Sequence, residues 1–185
     1  MICHLTTDKK MSMKIIMIYD QIQSGLGTKD DRMVPLGGKN ESIGPAVMMA
    51  PFLKNIDAKV VACLYCGNGT YLDNPEETSR KLCKMVEKLK PDVVMCGPAF
   101  NFKDYARMCA HVAHDINETT SVKAFAAMSV DNADTIAEYK DKVSIVKTPN
   151  KGDTGLNSAL KNMCDLAQAM VKGEDTKELK SDICF

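Results

Sequence analysis

The chain has 185 residues, 45% of them apolar and 26% charged, with 24 basic and 24 acidic side chains. This length suits one domain with a full core, and a formal net charge of zero excludes the basic footprint of a nucleic-acid binder or a polybasic membrane anchor. No apolar run approaches the roughly 20 residues of a membrane span, and Met1 to Lys10 holds no apolar stretch of signal-peptide length.

Residues 1–12 are therefore expected to be a flexible leader, with Met11 or Met13 as an alternative start. Lys14 to Asp20 (KIIMIYD) reads as a first strand whose carboxyl end carries Asp20 and Gln21. Residues 22–43 form a polar, glycine-containing connection. Structureless loops of that length are uncommon in compact domains unless they serve a site, so a lid or binding loop is expected. Ser42 or Gly44 caps the next helix, with Pro45 in its first turn, and Pro51 should kink or break it. A second strand, Val60 to Cys66, ends in Gly67-Asn68-Gly69. Asn74-Pro75-Glu76-Glu77 opens a helix by an Asn cap, a first-turn proline and a glutamate three residues on. Leu82, Met85, Val86 and Leu89 then recur at helical spacing.

The centre of the chain is Lys90 to Asn101 (KPDVVMCGPAFN). Val93 to Cys96 is an uninterrupted apolar run, the pattern of a strand buried on both faces, and Gly97-Pro98 ends it. Asn101 is expected to cap a helix carrying Tyr105, Met108, Val112 and Ile116. Val122 to Met128 is a fourth strand, and Asn132 to Lys140 a short helix or turn. Val143 to Lys147 is a fifth strand with the exit loop Thr148 to Asp153. A last helix, capped by Thr154 or Asp153, carries Leu156, Leu160, Met163, Ala167 and Met170 and stops at Gly173. One domain over 13–173 with a loosely held tail over 174–185 follows. The fold expected is α/β, a flavodoxin-like three-layer sandwich with a mainly parallel five-stranded sheet and its strand exits on one edge.

In such sheets ligands bind beyond the carboxyl ends of the strands. The polar groups there are Asp20, Gln21, Asn68, Asn101, Asn132 and Asp153, each of which serves equally well as a loop former or cap. Helix starts near Asn74, Asn101 and Thr154 would suit an anion. Eight cysteines without a secretory signal point to reduced thiols in the cytoplasm. Cys63-Leu64-Tyr65-Cys66 has dithiol spacing, but side chains three apart on a strand face opposite ways, so no disulfide is expected. Cys66 and Cys96 adjoin glycine turns on the site edge and are weak nucleophile candidates; packing as small hydrophobes is the alternative for both. Cys83, Cys109 and Cys164 fall in helices as packing residues, and Cys3 and Cys184 lie in terminal segments. His111 and His114 share a helix face, yet no third ligand is apparent, so no metal is assigned. No Walker A or GxGxxG motif is present.

Four segments carry a family resemblance: Ile18-Tyr19-Asp20-Gln21, Ile43-Gly44-Pro45-Ala46, Cys66-Gly67-Asn68-Gly69 and Cys96-Gly97-Pro98-Ala99-Phe100-Asn101. Together, over about residues 13–172, the chain resembles the amino-terminal half of the selenoprotein B component of glycine, sarcosine and betaine reductases. The resemblance implies reductive cleavage of a small amine substrate. A pyruvoyl-bearing partner subunit would hold the amino group, and a selenolate would take the carboxymethyl group and pass it to selenoprotein A. That selenolate belongs to a selenocysteine-x-x-Cys-x-x-Cys motif in the second half of the family. Cys63 and Cys66 match neither its spacing nor its place, so no nucleophile carries over. A separately encoded or truncated half, inactive alone, is expected. A flavin- or nucleotide-binding module and a structural subunit are the alternatives. The substrate-binding rim is expected at Asp20, Gln21, Cys66, Gly67, Asn68, Gly97, Pro98 and Asn101. Because Gly97 ends a strand, its replacement by valine is expected to block the ligand and leave the fold mostly intact.

Overall fold

A computed structural model describes residues 11–185; the leader expected over 1–12 lies almost wholly outside them. The sheet is built on β1 (Met13–Tyr19), whose residues Ile15 to Tyr19 are completely buried. β1 pairs in parallel with β3 (Ala58–Tyr65) on one side and β4 (Val93–Cys96) on the other, so Ile18 lies between Leu64 and Cys96. β5 (Lys123–Met128) and β6 (Ile145–Lys147) extend the sheet in parallel beyond β4. A strand flanked on both sides and covered on both faces meets no water, which is why β1 and β4 show no polar alternation.

The sheet has six strands, in the order β2-β3-β1-β4-β5-β6, where five were expected. The sixth, β2 (Gly37–Lys39), pairs antiparallel with β3 inside the connection read as a lid. Three residues, two of them glycine, carry no strand pattern; the edge exists because β3 offers its unpaired backbone groups.

One sheet face packs against α4 (Pro75–Leu89), α5 (Lys103–Thr119) and the short α3 (Asn68–Asp73) and α6 (Ala133–Tyr139). The other carries α1 (Pro45–Met48), α2 (Ala50–Asn55) and α7 (Leu156–Lys172). The break between α1 and α2 falls at Met49, where Pro51 enters the first turn of α2. Asn74 caps α4 by accepting the Glu77 N–H at 3.2 Å, as the motif requires. Two other caps fall elsewhere. Phe102, not Asn101, precedes α5, and Gly155, at φ 96°, precedes α7 in place of Thr154 or Asp153. Gly173 stops α7 in the left-handed conformation.

The tail is not loose. α8 (Lys177–Ile183) buries Ile183, Cys184 forms an antiparallel bridge with Val146, and the Phe185 N–H bonds the Ile145 carbonyl. The segment covers the free edge of β6, a placement its charged sequence does not announce. Among the described residues no helix is long and apolar enough to cross a membrane.

Candidate functional site

The carboxyl ends of the parallel strands meet as expected, and their polar residues lock onto one another. Asp20, fully buried, turns the chain sharply after β1: its Oδ1 accepts the N–H groups of Ile22 (3.0 Å) and Gln23 (2.8 Å). Its Oδ2 accepts Asn68 Nδ2 at 3.3 Å, and Gln21 Oε1 accepts the Asn68 N–H at 3.0 Å. The exits of β1 and β3 are thereby joined. Burial pushes the Asp20 pKa up, against the pull of these hydrogen bonds and of the Lys151 charge. Gln21 Nε2 and Asn68 Oδ1 are buried without partners.

Cys66 and Gly67 continue this lock. The Cys66 thiol is buried and pushed up to about 11 by desolvation. Cys96 is also enclosed, and burial raises its pKa further. Both stay protonated at neutral pH, without the electropositive, exposed surroundings of a reactive thiolate. Cys63 and Cys66 are free thiols. The Gly67 N–H bonds the Val34 carbonyl at 2.9 Å, and a β-carbon on Gly67 would strike the Arg32 carbonyl. The Gly69 and Thr70 N–H groups both bond Arg32 O, so residues 32–34 are pinned to the start of α3.

Gly97 has φ 129°, and a β-carbon there would lie 2.7 Å from the Ala127 carbonyl oxygen. The expectation that valine at this position leaves the fold intact is therefore corrected: both backbone and space demand glycine. Pro98 and Ala99 are buried, with the Ala99 N–H on Ala127 O at 2.8 Å. Asn101 is exposed; its Oδ1 accepts the Lys151 N–H at 3.1 Å and ties the β4 exit to the β6 exit loop. Asn132 Nδ2 donates to Phe100 O at 2.6 Å.

Beside this lock lies a cavity of about 540 Å³. Ile22 to Gly25 form one wall, Pro45 and Met48 of α1 a second, Phe100 a third, and Asn150 to Asp153 with Leu156 and Leu160 of α7 the last. None of the eight residues expected at the rim lines it. Asp20 reaches its wall through the N–H groups of Ile22 and Gln23, and Asn101 through Lys151. Gln23 brings a buried Nε2 without a partner, and Lys151 brings a cation whose Nζ lies 5.5 Å from the Phe102 ring centroid. The 148–153 exit loop and the start of the 22–43 connection, expected as a binding loop, were the sequence signals for these walls. Ile22, Met48 and Leu156 are apolar residues from three distant segments that nothing in the sequence brings together.

A mostly apolar chamber with one cation, Lys151, one carboxylate, Asp153, and a few amides suits a small molecule carrying both an anionic and a cationic group. The family model for glycine/sarcosine/betaine reductase selenoprotein B matches residues 12–184. The chain belongs to this family. Among its relatives is the sarcosine reductase complex component B subunit beta of Peptoclostridium acidaminophilum, 25% identical over 162 residues, which are 88% of this chain and 36% of that protein. The glycine reductase complex component B subunit gamma of Carboxydothermus hydrogenoformans is 28% identical over 137 residues, 74% of this chain and 31% of that protein. The betaine reductase complex component B subunit beta of P. acidaminophilum is 24% identical over 164 residues, 87% and 36% of the two chains. This selenoprotein B family chain thus spans about a third of the length of the curated relatives it matches. No solved structure matches it significantly.

Proposed function

We propose that this chain is a subunit, or one part, of a glycine/sarcosine/betaine reductase-type complex acting in the cytoplasm, and that it supplies a substrate-binding shell rather than the nucleophile. The observation that carries this reading is the family match over residues 12–184, combined with a cavity at the strand exits bordered by the segments that share the family's pattern. The 185 residues contain no selenocysteine and no Cys-x-x-Cys-x-x-Cys run, so the selenolate would come from elsewhere in the complex. A pyruvoyl-bearing subunit would hold the substrate amine, and selenoprotein A would receive the carboxymethyl group.

Within the cavity Lys151 is the carboxylate partner, with Gln23 Nε2 as a second donor. Asp20, Gln21, Cys66, Gly67, Asn68, Gly97, Pro98 and Asn101 form the layer that fixes these walls. Lys151 is exposed, so Lys151→Ala tests the site without endangering the fold. With the pyruvoyl-bearing partner present, the variant should bind glycine and betaine about tenfold or more weakly, the scale of a charge-assisted hydrogen bond. Unchanged affinity would move the site away from this cavity.

One observation favours a second reading. With the antiparallel β2 set aside, the parallel strands run β3-β1-β4-β5-β6. This supports a flavodoxin-like topology, in which flavin binds at the switch point between the first and third strands. The cavity adjoins that point, between the β1 exit and Phe100 after β4. Flavin mononucleotide fluorescence that is quenched on titration with the protein would favour a flavin-binding module; unquenched fluorescence would remove that reading.

A further inference from the structure

The His111 side chain, on the opposite sheet face from the cavity, sits in a built arrangement that the reductase reading leaves unused. Its Nδ1 meets the buried Tyr71 hydroxyl at 2.7 Å, which fixes the ring and presents Nε2 to two carboxylates. Asp115 Oδ2 lies 3.1 Å from Nε2 and Glu76 Oε1 lies 3.6 Å from it. His111 and Asp115 are one turn apart on α5, so they share a face; Glu76 comes from the first turn of α4. Asp115 is itself held in place: Ser79 Oγ donates to its Oδ2 at 2.6 Å, and His114 Nδ1 meets its Oδ1 at 3.2 Å.

We propose that Glu76, His111 and Asp115 form a binding site for a divalent first-row transition ion, with zinc as the best fit. Tetrahedral zinc with nitrogen and oxygen ligands at about 2.0–2.1 Å sets those ligand atoms about 3.3–3.4 Å apart. The distances of 3.1 and 3.6 Å bracket that spacing, and all three ligand atoms lie within 4.8 Å of one another. One imidazole with two carboxylates is a borderline-hard set suited to such ions. A ligating histidine whose second nitrogen is hydrogen-bonded is the usual orienting arrangement, and here Tyr71 would accept the Nδ1–H. Glu76 and Asp115 also line a cavity of about 400 Å³, which leaves room for water as the fourth ligand. Two cations border that cavity. Arg80 is neutralised by a two-pronged pair with Glu77, at 2.8 and 2.6 Å, and Lys84 is the other. Sequence spacing pointed to His111 with His114, but His114 binds the far oxygen of Asp115, and the remaining ligand comes from another helix.

Zinc titration of the full chain by calorimetry tests the site, with cobalt(II) spectra reporting the ligand type. The expected result is one equivalent bound, with cobalt d–d bands and no thiolate charge-transfer band. Glu76→Gln, whose side chain is 87% exposed and carries little of the fold, should weaken binding by about tenfold or more. Tyr71→Phe should weaken it about tenfold through the lost orienting hydrogen bond. A chain carrying Cys3→Ser and His4→Ala should bind as the wild type does. No binding, equal binding by Glu76→Gln, a thiolate charge-transfer band, or loss of binding in the Cys3→Ser, His4→Ala chain would each overturn the assignment.

Discussion

Asp20 is the residue on which the strand-exit lock turns. Three donors converge on its carboxylate, while burial raises its pKa. A carboxyl whose folded pKa lies above its unfolded value binds its proton more tightly when folded, so its contribution to stability falls as pH rises from the unfolded through the folded pKa. Asp20→Asn carries no such charge. Denaturant melts of both proteins across the acid range should therefore show the wild type losing stability relative to Asp20→Asn as the pH rises; a relative gain would contradict the burial cause. Gly97→Ala tests the adjacent turn. The close approach to Ala127 O and the positive φ together predict a loss of about 3 kcal/mol, measured as a lower denaturation midpoint at unchanged slope. A loss below about 0.5 kcal/mol would mean that the turn relaxes. At this scale the sequence marks Asp20, Gln21 and Asn68 as strand-exit groups. It does not show that they bond one another, because Asn68 lies 48 residues from Asp20.

The parallel strands and the long helices are the legible elements, since each writes its burial in an apolar run or a helical stripe. Short elements defined by their neighbours are not. β2 is Gly-Gly-Lys, α3 begins Asn-Gly-Thr, and α8 is mostly charged; each exists because an edge or a loop needs a partner. The connection over 22–43 shows the consequence. Its middle, residues 32–34, is pinned by the N–H groups of Gly67, Gly69 and Thr70, whereas only its first residues wall the cavity. Gly67→Ala should release the pin, because its new methyl group collides with backbone. Limited trypsinolysis should then cut faster at Lys29 and Arg32 in the variant than in the wild type; equal rates would show that β2 alone holds the loop. Likewise, removing residues 177–185 should cost about 2–4 kcal/mol, from the lost burial of Ile183 and Cys184 and the opened β6 edge. Thermal denaturation would measure it, and an unchanged midpoint would mean that the tail is dispensable.

On the scale of the whole molecule, four segments distant in sequence build one chamber: 22–25 after β1, 44–48 at α1, Phe100 after β4, and 150–160 leading into α7. Parallel strands deliver their exits to one edge, and β1, lying between β3 and β4, places its exit near the middle of the sheet. This geometry explains why the strand-exit edge was legible in the sequence while the residues that wall the cavity beside it were not. It also separates binding from chemistry: the chamber has a cation, a carboxylate and amide donors, while the thiols of Cys66 and Cys96 are enclosed and raised in pKa by burial. The most direct test of the central claim is reconstitution of dithiol-dependent amine release from glycine, sarcosine and betaine with purified subunits. This chain alone should give no release, release should appear when it joins the pyruvoyl- and selenocysteine-bearing components, and it should be lost when this chain alone is withheld. Turnover by the isolated chain, or undiminished turnover without it, would contradict the account.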